Sequence, residues 1–251
     1  MRPLSRATLT TACLATALLT GAMPANAETL TGWTGTSGNV GGTVYLTSSA
    51  ISNTPVLTAT STAWKLFGGD INPGSAAVMS RLFKSGILCE AQGYFYNAVP
   101  LPNFAISTSG GDCGPGSYNS HGLQKFYNGT SYVDHITFPS SPLDFPAPGA
   151  RSADSAPSET SVNARGESLG SAEGITNDQE LPDLIVANGT DGELGYVKKT
   201  DLVTQVRTIE EVLSLPQETL SDGTLALHEP ARSIPLYAED GVTQIGKFDI
   251  R

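Results

Sequence analysis

The chain has few of the residues that enzymes and metalloproteins most often use for catalysis and ligation. It contains three histidines and three cysteines in 251 residues. It has no His-Glu-x-x-His zinc helix, no Gly-x-Ser-x-Gly nucleophile elbow and no glycine loop of the phosphate-binding type. We therefore predict no cofactor and no metal centre, and no motif assigns a catalytic activity.

Basic residues are also scarce, with 14 Lys and Arg against 24 Asp and Glu, and the formal net charge is −10. Such a chain lacks a basic patch of the kind that attracts nucleic acids and anionic membrane surfaces. After residue 27, no apolar run approaches the length of about 18 residues that a membrane-spanning helix needs. We therefore expect neither nucleic-acid binding nor membrane insertion.

Residues 1–27 have the pattern of a secretory signal peptide. Arg2 and Arg6 form a basic beginning, an apolar stretch containing Cys13 follows, and "ANA" at residues 25–27 supplies the small side chains that signal peptidase requires. The sequence predicts cleavage after Ala27 and secretion of the mature chain. Because the segment has two basic residues and no acidic residue, its removal changes the formal net charge from −10 to −12.

Only Cys89 and Cys113 remain in the mature chain. An even pair of cysteines in a secreted protein predicts a disulfide. The segment "GDCGPG" around Cys113 resembles the nucleophile loop of chymotrypsin-type proteases, but all three histidines follow it, whereas that fold places its histidine earlier in the chain. We interpret Cys113 as half of a disulfide.

The mature chain is predicted to be mainly β, with two modules. Residues 28–145 contain short apolar strands between glycine and proline turns, which indicates a β-sandwich or a barrel-like domain. Residues 146–162 are rich in Ser, Ala, Pro and Gly and are predicted to be a flexible linker. Residues 163–251 form a small acidic β-rich module with one short helix, for which Thr208 is the N-cap and Pro216 the stop.

Two possible metal sites are weak. A two-residue turn at Asn128–Gly129 would place His121 and His135 on opposite faces of a hairpin, so one ion cannot bind both. We expect them to be half-exposed surface histidines. Asp191 and Glu193 lie beside glycines, but they lack the spaced oxygen ligands of a calcium loop. Calcium stays an open alternative, and a hairpin turn explains the same residues.

Aromatic residues crowd the strands around the predicted disulfide. A strand over "GYFYN" would place Tyr94 and Tyr96 on one face. With Tyr118 and Tyr132 they make a candidate binding surface, because tyrosine combines an apolar ring with a polar tip and suits contacts with carbohydrate or protein. The competing interpretation is that these rings cover the edge of the core.

The C-terminal region resembles a module of other exported proteins. The segments "NARGESLGSA", "PDLIVANGTDGELGYVKKTDL" and "SIPLYAEDGVTQIGKF" occur in this order over residues 163–250. In this they are similar to a recurrent module of uncharacterised Gram-positive and actinobacterial exported proteins. The Gly-Tyr-Val step at residues 195–197 is also similar to the closing strand of bacterial Src-homology-type cell-wall modules. The resemblance implies no assigned activity.

These observations favour a secreted, non-catalytic binding protein of two β-rich modules, with cell-wall glycan or an extracellular protein as its partner. One alternative is an exported hydrolase whose acid pair comes from distant positions such as Glu90, Asp112 and Asp134, since a pair of carboxylates needs no sequence motif. Another is a secreted inhibitor or toxin-like effector.

Overall fold

The computed structural model describes residues 27–111, 113–146, 149, 155–156, 160–175, 180–203 and 208–251. Its fold is mainly β, as the sequence predicts, with 21 strands and two short helices in these residues. The predicted signal peptide, apart from Ala27, lies outside them, and so does much of the predicted linker. No helix among the described residues is both long enough and apolar enough to cross a membrane.

The first sheet has five antiparallel strands, all from the first predicted module. They are β1 (Thr29–Thr31), β2 (Gly35–Val40), β3 (Thr43–Ser52), β4 (Thr58–Lys65) and β9 (Asn103–Ser107). The order is β1–β3–β4–β9, and β2 pairs with the other half of the β3 edge that β1 uses. Burial alternates along β3 and β4, so one face of this sheet packs on the core and the other faces solvent.

The second sheet contains strands from both predicted modules. In spatial order they are β12 (Tyr132–Ile136), β11 (Leu123–Tyr127), β5 (Ala76–Met79), β8 (Phe95–Asn97), β19 (Leu225–His228) and β18 (Gln217–Thr219). Strands β5, β8 and β11 are almost wholly buried on both faces. The apolar sequence of β5 is consistent with this position, because both faces of such a strand must be covered, whereas β11 also buries Gln124 and Lys125.

The third sheet has ten strands and also combines the two modules. In spatial order they are β13 (Leu143–Phe145), β10 (Gly116–Ser120), β6 (Arg81–Lys84), β7 (Ile87–Ala91), β21 (Gln244–Ile250), β20 (Arg232–Tyr237), β17 (Leu194–Lys198), β16 (Leu184–Asn188), β15 (Ser168–Gly170) and β14 (Ser161–Val162).

Part of this sheet closes into a five-stranded barrel. Strand β7 pairs in parallel with β16 at Leu88 and with β21 at Ala91. Strands β16, β17, β20 and β21 pair in sequence, so β7 joins the two ends of their sheet. The core of the barrel contains Leu88, Ile185, Val197 and Phe248, all of which are buried.

The predicted division into two separate modules is therefore wrong. A strand of the first module closes the barrel of the second, and β19 of the second pairs with β8 of the first. The predicted linker also ends earlier than residue 162, because Ser161–Val162 forms β14. The sequence conceals this arrangement, since the pairing of distant strands is not a local property of either segment.

The local structure near the C-terminus follows the prediction more closely. Helix α2 (Ile209–Leu213) begins at Thr208, whose side chain accepts from the backbone of Glu211 while the Glu211 side chain accepts from the backbone of Thr208. This reciprocal capping box satisfies two free N–H groups at the beginning of the helix. A second helical turn, α1 (Lys199–Leu202), was not predicted.

The hairpin between β11 and β12 differs from its predicted register. Tyr127 pairs with Tyr132 and Gln124 with His135, so the loop has four residues, Asn128–Ser131, instead of two. The side-chain oxygen of Asn128 accepts from the backbone N–H groups of Thr130 and Ser131, both at 2.9 Å. These bonds close the wider loop, because asparagine can replace the backbone contacts of a tight turn.

His121 is fully buried, contrary to the prediction of a half-exposed surface residue. Its ring lies between β6 and the segment after β15, with Nδ1 3.3 Å from the carbonyl oxygen of Ala172 and 3.4 Å from a guanidinium nitrogen of Arg81. Burial, with the nearby Arg81 charge, lowers the pKa of His121 to about 3. Burial also lowers the pKa of His135. His121 is therefore neutral in the folded protein at pH 6, and His135 binds its proton less tightly than a free histidine does.

We expect the unfolding free energy to decrease as the pH is lowered from about 6.5 to 5. In this window the unfolded chain binds a proton at His121 while the folded chain does not, so His121 contributes up to about 1.4 kcal/mol per pH unit, and the lowered pKa of His135 acts in the same direction. Urea denaturation at a series of pH values measures this slope.

The variant His121→Gln should lose a large part of the slope, and His135→Gln, which keeps the more deeply buried His121, should lose less. Glu173, whose pKa burial raises, acts in the opposite direction and is common to all three proteins. A slope unchanged in His121→Gln would contradict the assignment.

Candidate functional site

The disulfide predicted from the two mature cysteines is present. Cys89 lies in β7 and Cys113 in the loop before β10, at a sequence separation of 24. The ammonium of Lys84 on β6 donates to the carbonyl oxygen of Cys113. The disulfide thus attaches the loop after β9 to β7, the strand that closes the barrel.

The predicted tyrosine surface is wrong. Tyr94, Tyr96 and Tyr118 are buried, and only Tyr132 is partly exposed. Tyr94 and Tyr96 pack in one apolar cluster under helix α2, with the ring centroids of Tyr96 and Tyr132 5.6 Å apart. The Tyr118 hydroxyl accepts from the backbone of Cys113 and holds the disulfide loop. Tyr94 and Tyr96 belong to the core because they pack in a cluster with Val212 of helix α2, and Tyr118, on β10 of the third sheet, belongs to a second buried cluster.

Burial changes the acidity of these tyrosines in the direction that a core position requires. It raises the pKa of Tyr96 and of Tyr132, because the phenolate is poorly solvated there. The Tyr132 hydroxyl donates to the carbonyl oxygen of Gly74. Both phenols therefore stay protonated.

Glu90 holds the disulfide loop from the side of β7. Its side chain is 5% exposed. Oε1 accepts from the backbone N–H of Ser109 at 2.7 Å and Oε2 from that of Gly111 at 2.9 Å. The Ser109 hydroxyl also donates to Oε1, and a guanidinium nitrogen of Arg251 lies 3.7 Å from it. A carboxylate whose two oxygens are occupied in this way fixes the loop to the strand.

A cavity of about 280 Å³ opens beside this attachment, and we call it the Glu90 cavity. Its walls come from the disulfide, from the loop after β16 and from the end of β21. The polar and charged residues that line it are Glu90, Asn188, Thr190, Asp249 and Arg251. The loop "NGTDG" at residues 188–192, which the sequence identifies only as a turn, thus forms one wall.

Of the three carboxylates in the hydrolase hypothesis, the two in described residues lie in different parts of the fold. Glu90 lies at the barrel, whereas Asp134 lies on β12 and makes an ion pair with Lys125. Asp112 lies outside the described residues. Sequence reasoning missed Asp249, which lines the same cavity as Glu90.

Metal ligands do not gather in the described parts of the chain. No three His, Cys, Asp or Glu side chains there come close enough to hold an ion. Oδ1 of Asp191 accepts from the backbone N–H of Glu193, and the loop between β16 and β17 is closed by such bonds. Within these ranges, Asp191 and Glu193 therefore belong to a hairpin turn.

The solvent face of the first sheet is a broad, uncharged surface that the sequence analysis missed. Its side chains point away from the core, are all partly or fully exposed, and include no charged residue. We call it the hydroxyl face, and its members are Thr29, Thr31, Thr36, Leu46, Ser48, Ala50, Ser52, Thr58, Thr60, Thr62, Trp64, Asn103, Ala105 and Ser107.

Strand register arranges the hydroxyl face in four rows. The row through Thr62 contains Ser48 on one neighbour and Ala105 on the other, and the row through Thr60 contains Ala50 and Ser107. With strands about 4.8 Å apart and alternate residues about 6.8 Å apart, the rows cover roughly 14 by 20 Å. The repeat "TATSTAW" at residues 58–64 is the sequence signal that could have revealed it, because every second residue shares a face.

The chain matches no protein-family model, no curated protein and no solved structure in the comparisons made. The resemblance of residues 163–250 to a module of exported proteins therefore stays a prediction. The hydroxyl face and the Glu90 cavity are interpreted from their own chemistry.

We expect Glu90→Gln to lower the unfolding free energy by about 1–3 kcal/mol, because the amide nitrogen that replaces one carboxylate oxygen cannot accept, and the N–H of Ser109 or Gly111 then loses its acceptor. Urea denaturation of the disulfide-intact protein measures the change. The matched control is Glu193→Gln on an exposed turn, which should stay within about 0.5 kcal/mol of wild type. Equal effects of the two substitutions would show that Glu90 has no special structural role.

Proposed function

We propose that the protein is a secreted, non-catalytic binding protein that docks a neutral polysaccharide of the cell envelope or its surroundings on the hydroxyl face. The observation that carries this proposal is the absence of charge from a broad exposed surface in a strongly acidic chain. An uncharged partner can approach such a surface without desolvating a charged group, whereas a charged partner finds no opposite charge there.

The groups on the hydroxyl face match those of a sugar chain. A threonine or serine hydroxyl has one donor and two acceptor positions, as a sugar hydroxyl does. At the centre of the face, the hydroxyls of Thr62 and Ser48 make no hydrogen bond with another described residue, so they are available to a ligand. At one edge, by contrast, Thr60 and Ser107 bond to each other at 2.7 Å.

Two tryptophans add apolar contact area to this surface. Trp64 lies in the same row as Leu46 and Asn103 and is partly exposed. Trp33 lies between β1 and β2, along the β3 edge of the face, and is 84% exposed. A large aromatic side chain left in water is a frequent feature of interaction sites, because its ring offers much apolar area with little loss of side-chain entropy.

The alternative of an exported hydrolase receives less support from the described residues. A glycosidase acts with two carboxylates that face each other across a cleft, about 5 to 9.5 Å apart. Both oxygens of Glu90 are already occupied by donors of the loop that it holds. Release of reducing ends from the polysaccharides used below tests this alternative directly.

We expect the mature protein to be retained by at least one insoluble neutral polysaccharide, with cellulose, chitin and starch granules as the probes. The variant Thr62→Lys places an ammonium at the centre of the face and should weaken retention at least tenfold, because the charge must be desolvated on docking. Trp33→Ala should weaken it to a smaller extent through loss of apolar contact. Depletion of protein from the supernatant, at several polymer concentrations, measures the affinity.

The matched control is Thr219→Lys, which makes the same change on the exposed edge strand β18 of another sheet. It should bind as wild type does, and thermal unfolding verifies that all three variants fold. Failure of every neutral polymer to retain the protein would sink the proposal. Equal retention of Thr62→Lys and Thr219→Lys would also contradict it. Capture of an extracellular protein by the same face would favour a protein partner over a polysaccharide.

A further inference from the structure

The Glu90 cavity has polar groups that the fold itself leaves unused. A nitrogen of Arg251 donates to the Ser109 hydroxyl at 2.7 Å, while the rest of its guanidinium has no acceptor among the described residues. Asp249 accepts from the Ser233 hydroxyl through Oδ1 only. The side chains of Asn188 and Thr190 have no hydrogen bond within the described ranges.

These four groups form a mixed set of donors and acceptors. A carboxylate, an amide and a guanidinium are planar groups with two adjacent hydrogen-bonding positions each, and the hydroxyl can donate or accept. Such groups suit a ligand with neighbouring hydroxyls, which can accept from Arg251 and donate to Asp249. An anion would meet Glu90 and Asp249, and a cation would meet Arg251, so the set favours a neutral ligand.

The loop after β16, which forms one wall of the cavity, is held in place by close packing. Gly189 begins the loop after β16, and a Cβ added there would lie 2.9 Å from Leu236 and 3.1 Å from the carbonyl oxygen of Lys247. The backbone N–H of Thr190 donates to this same carbonyl oxygen at 2.9 Å. The loop is therefore packed against β21, and the wall that it forms is defined before a ligand arrives.

Strand β9, at the edge of the first sheet, connects the hydroxyl face to the loop that lines the Glu90 cavity. Ser107 is the last residue of β9 and a member of the hydroxyl face, and Gly111 lines the cavity. Four residues of extended chain span at most about 14 Å. A glycan on the face can thus place one of its units near the cavity.

We propose that the Glu90 cavity binds one neutral sugar unit through Asn188, Thr190, Asp249 and Arg251. The volume of about 280 Å³ is close to the lower end of the range of roughly 300–1,000 Å³ for small-molecule sites, which suits a single ring better than a polymer. The choice of a sugar as the ligand rests on the proposed function, whereas the site itself rests on the geometry of the cavity.

The test is ligand-observed NMR of the mature protein with glucose, galactose and N-acetylglucosamine as separate probes. At least one of them should bind saturably in the millimolar range. Asp249→Asn and Arg251→Gln should each weaken binding at least tenfold, because each changes the hydrogen-bonding pattern of a lining group. The control Asp222→Asn makes the same change as Asp249→Asn in an exposed turn and should bind as wild type does.

The experiment separates this inference from the proposed function. The variant Thr62→Lys should keep its affinity for the monosaccharide and lose retention by the polymer. The variant Asp249→Asn should lose affinity for the monosaccharide and, where the hydroxyl face alone carries polymer retention, still be retained by the polymer. Monosaccharide binding without polymer retention would support the cavity and reject the face. Absence of saturable binding by all three sugars, or equal binding by Asp249→Asn and Asp222→Asn, would overturn the inference.

Discussion

Pairing along both edges of strand β7 is the constraint on which the rest of the structure depends. One edge is paired with β6, and the other is paired with β16 at Leu88 and with β21 at Ala91. A five-residue strand thereby closes the barrel and joins it to the rest of the third sheet. The disulfide at Cys89 and the carboxylate of Glu90 start from this same strand, so the loop that walls the cavity is positioned by the closure of the barrel.

The two proposed binding surfaces are formed in different ways by the same β architecture. On the hydroxyl face, regular register brings every second side chain to solvent and makes a broad surface without charge. At the Glu90 cavity, the regular pairing ends, and loops after β9 and β16 supply the walls. A broad regular face suits an extended partner, whereas an enclosed space between loops suits a small one.

Burial explains why the tyrosines and the histidine differ from their expected positions. Alternation along "GYFYN" is correct in placing Tyr94 and Tyr96 on one face, and it cannot show that Val212 of helix α2 packs in the same cluster as these rings. His121 is covered in the same way, by a segment 51 residues later in the chain. Periodicity determines which residues share a face, and the partners of that face are decided by contacts between distant segments.

The sequence by itself determined the β class, the cysteine pair and the capped helix at Thr208, because each depends on composition or on neighbours within a few residues. The alternating threonines of β4 are also visible in the sequence, but the sequence does not show which strands pair with β4. Only the tertiary structure decided that the two predicted modules share sheets, that Asp249 and Arg251 lie beside Glu90, and that the face through Thr62 is continuous. Each of these depends on the register between strands far apart in the chain, and register is set by the whole fold.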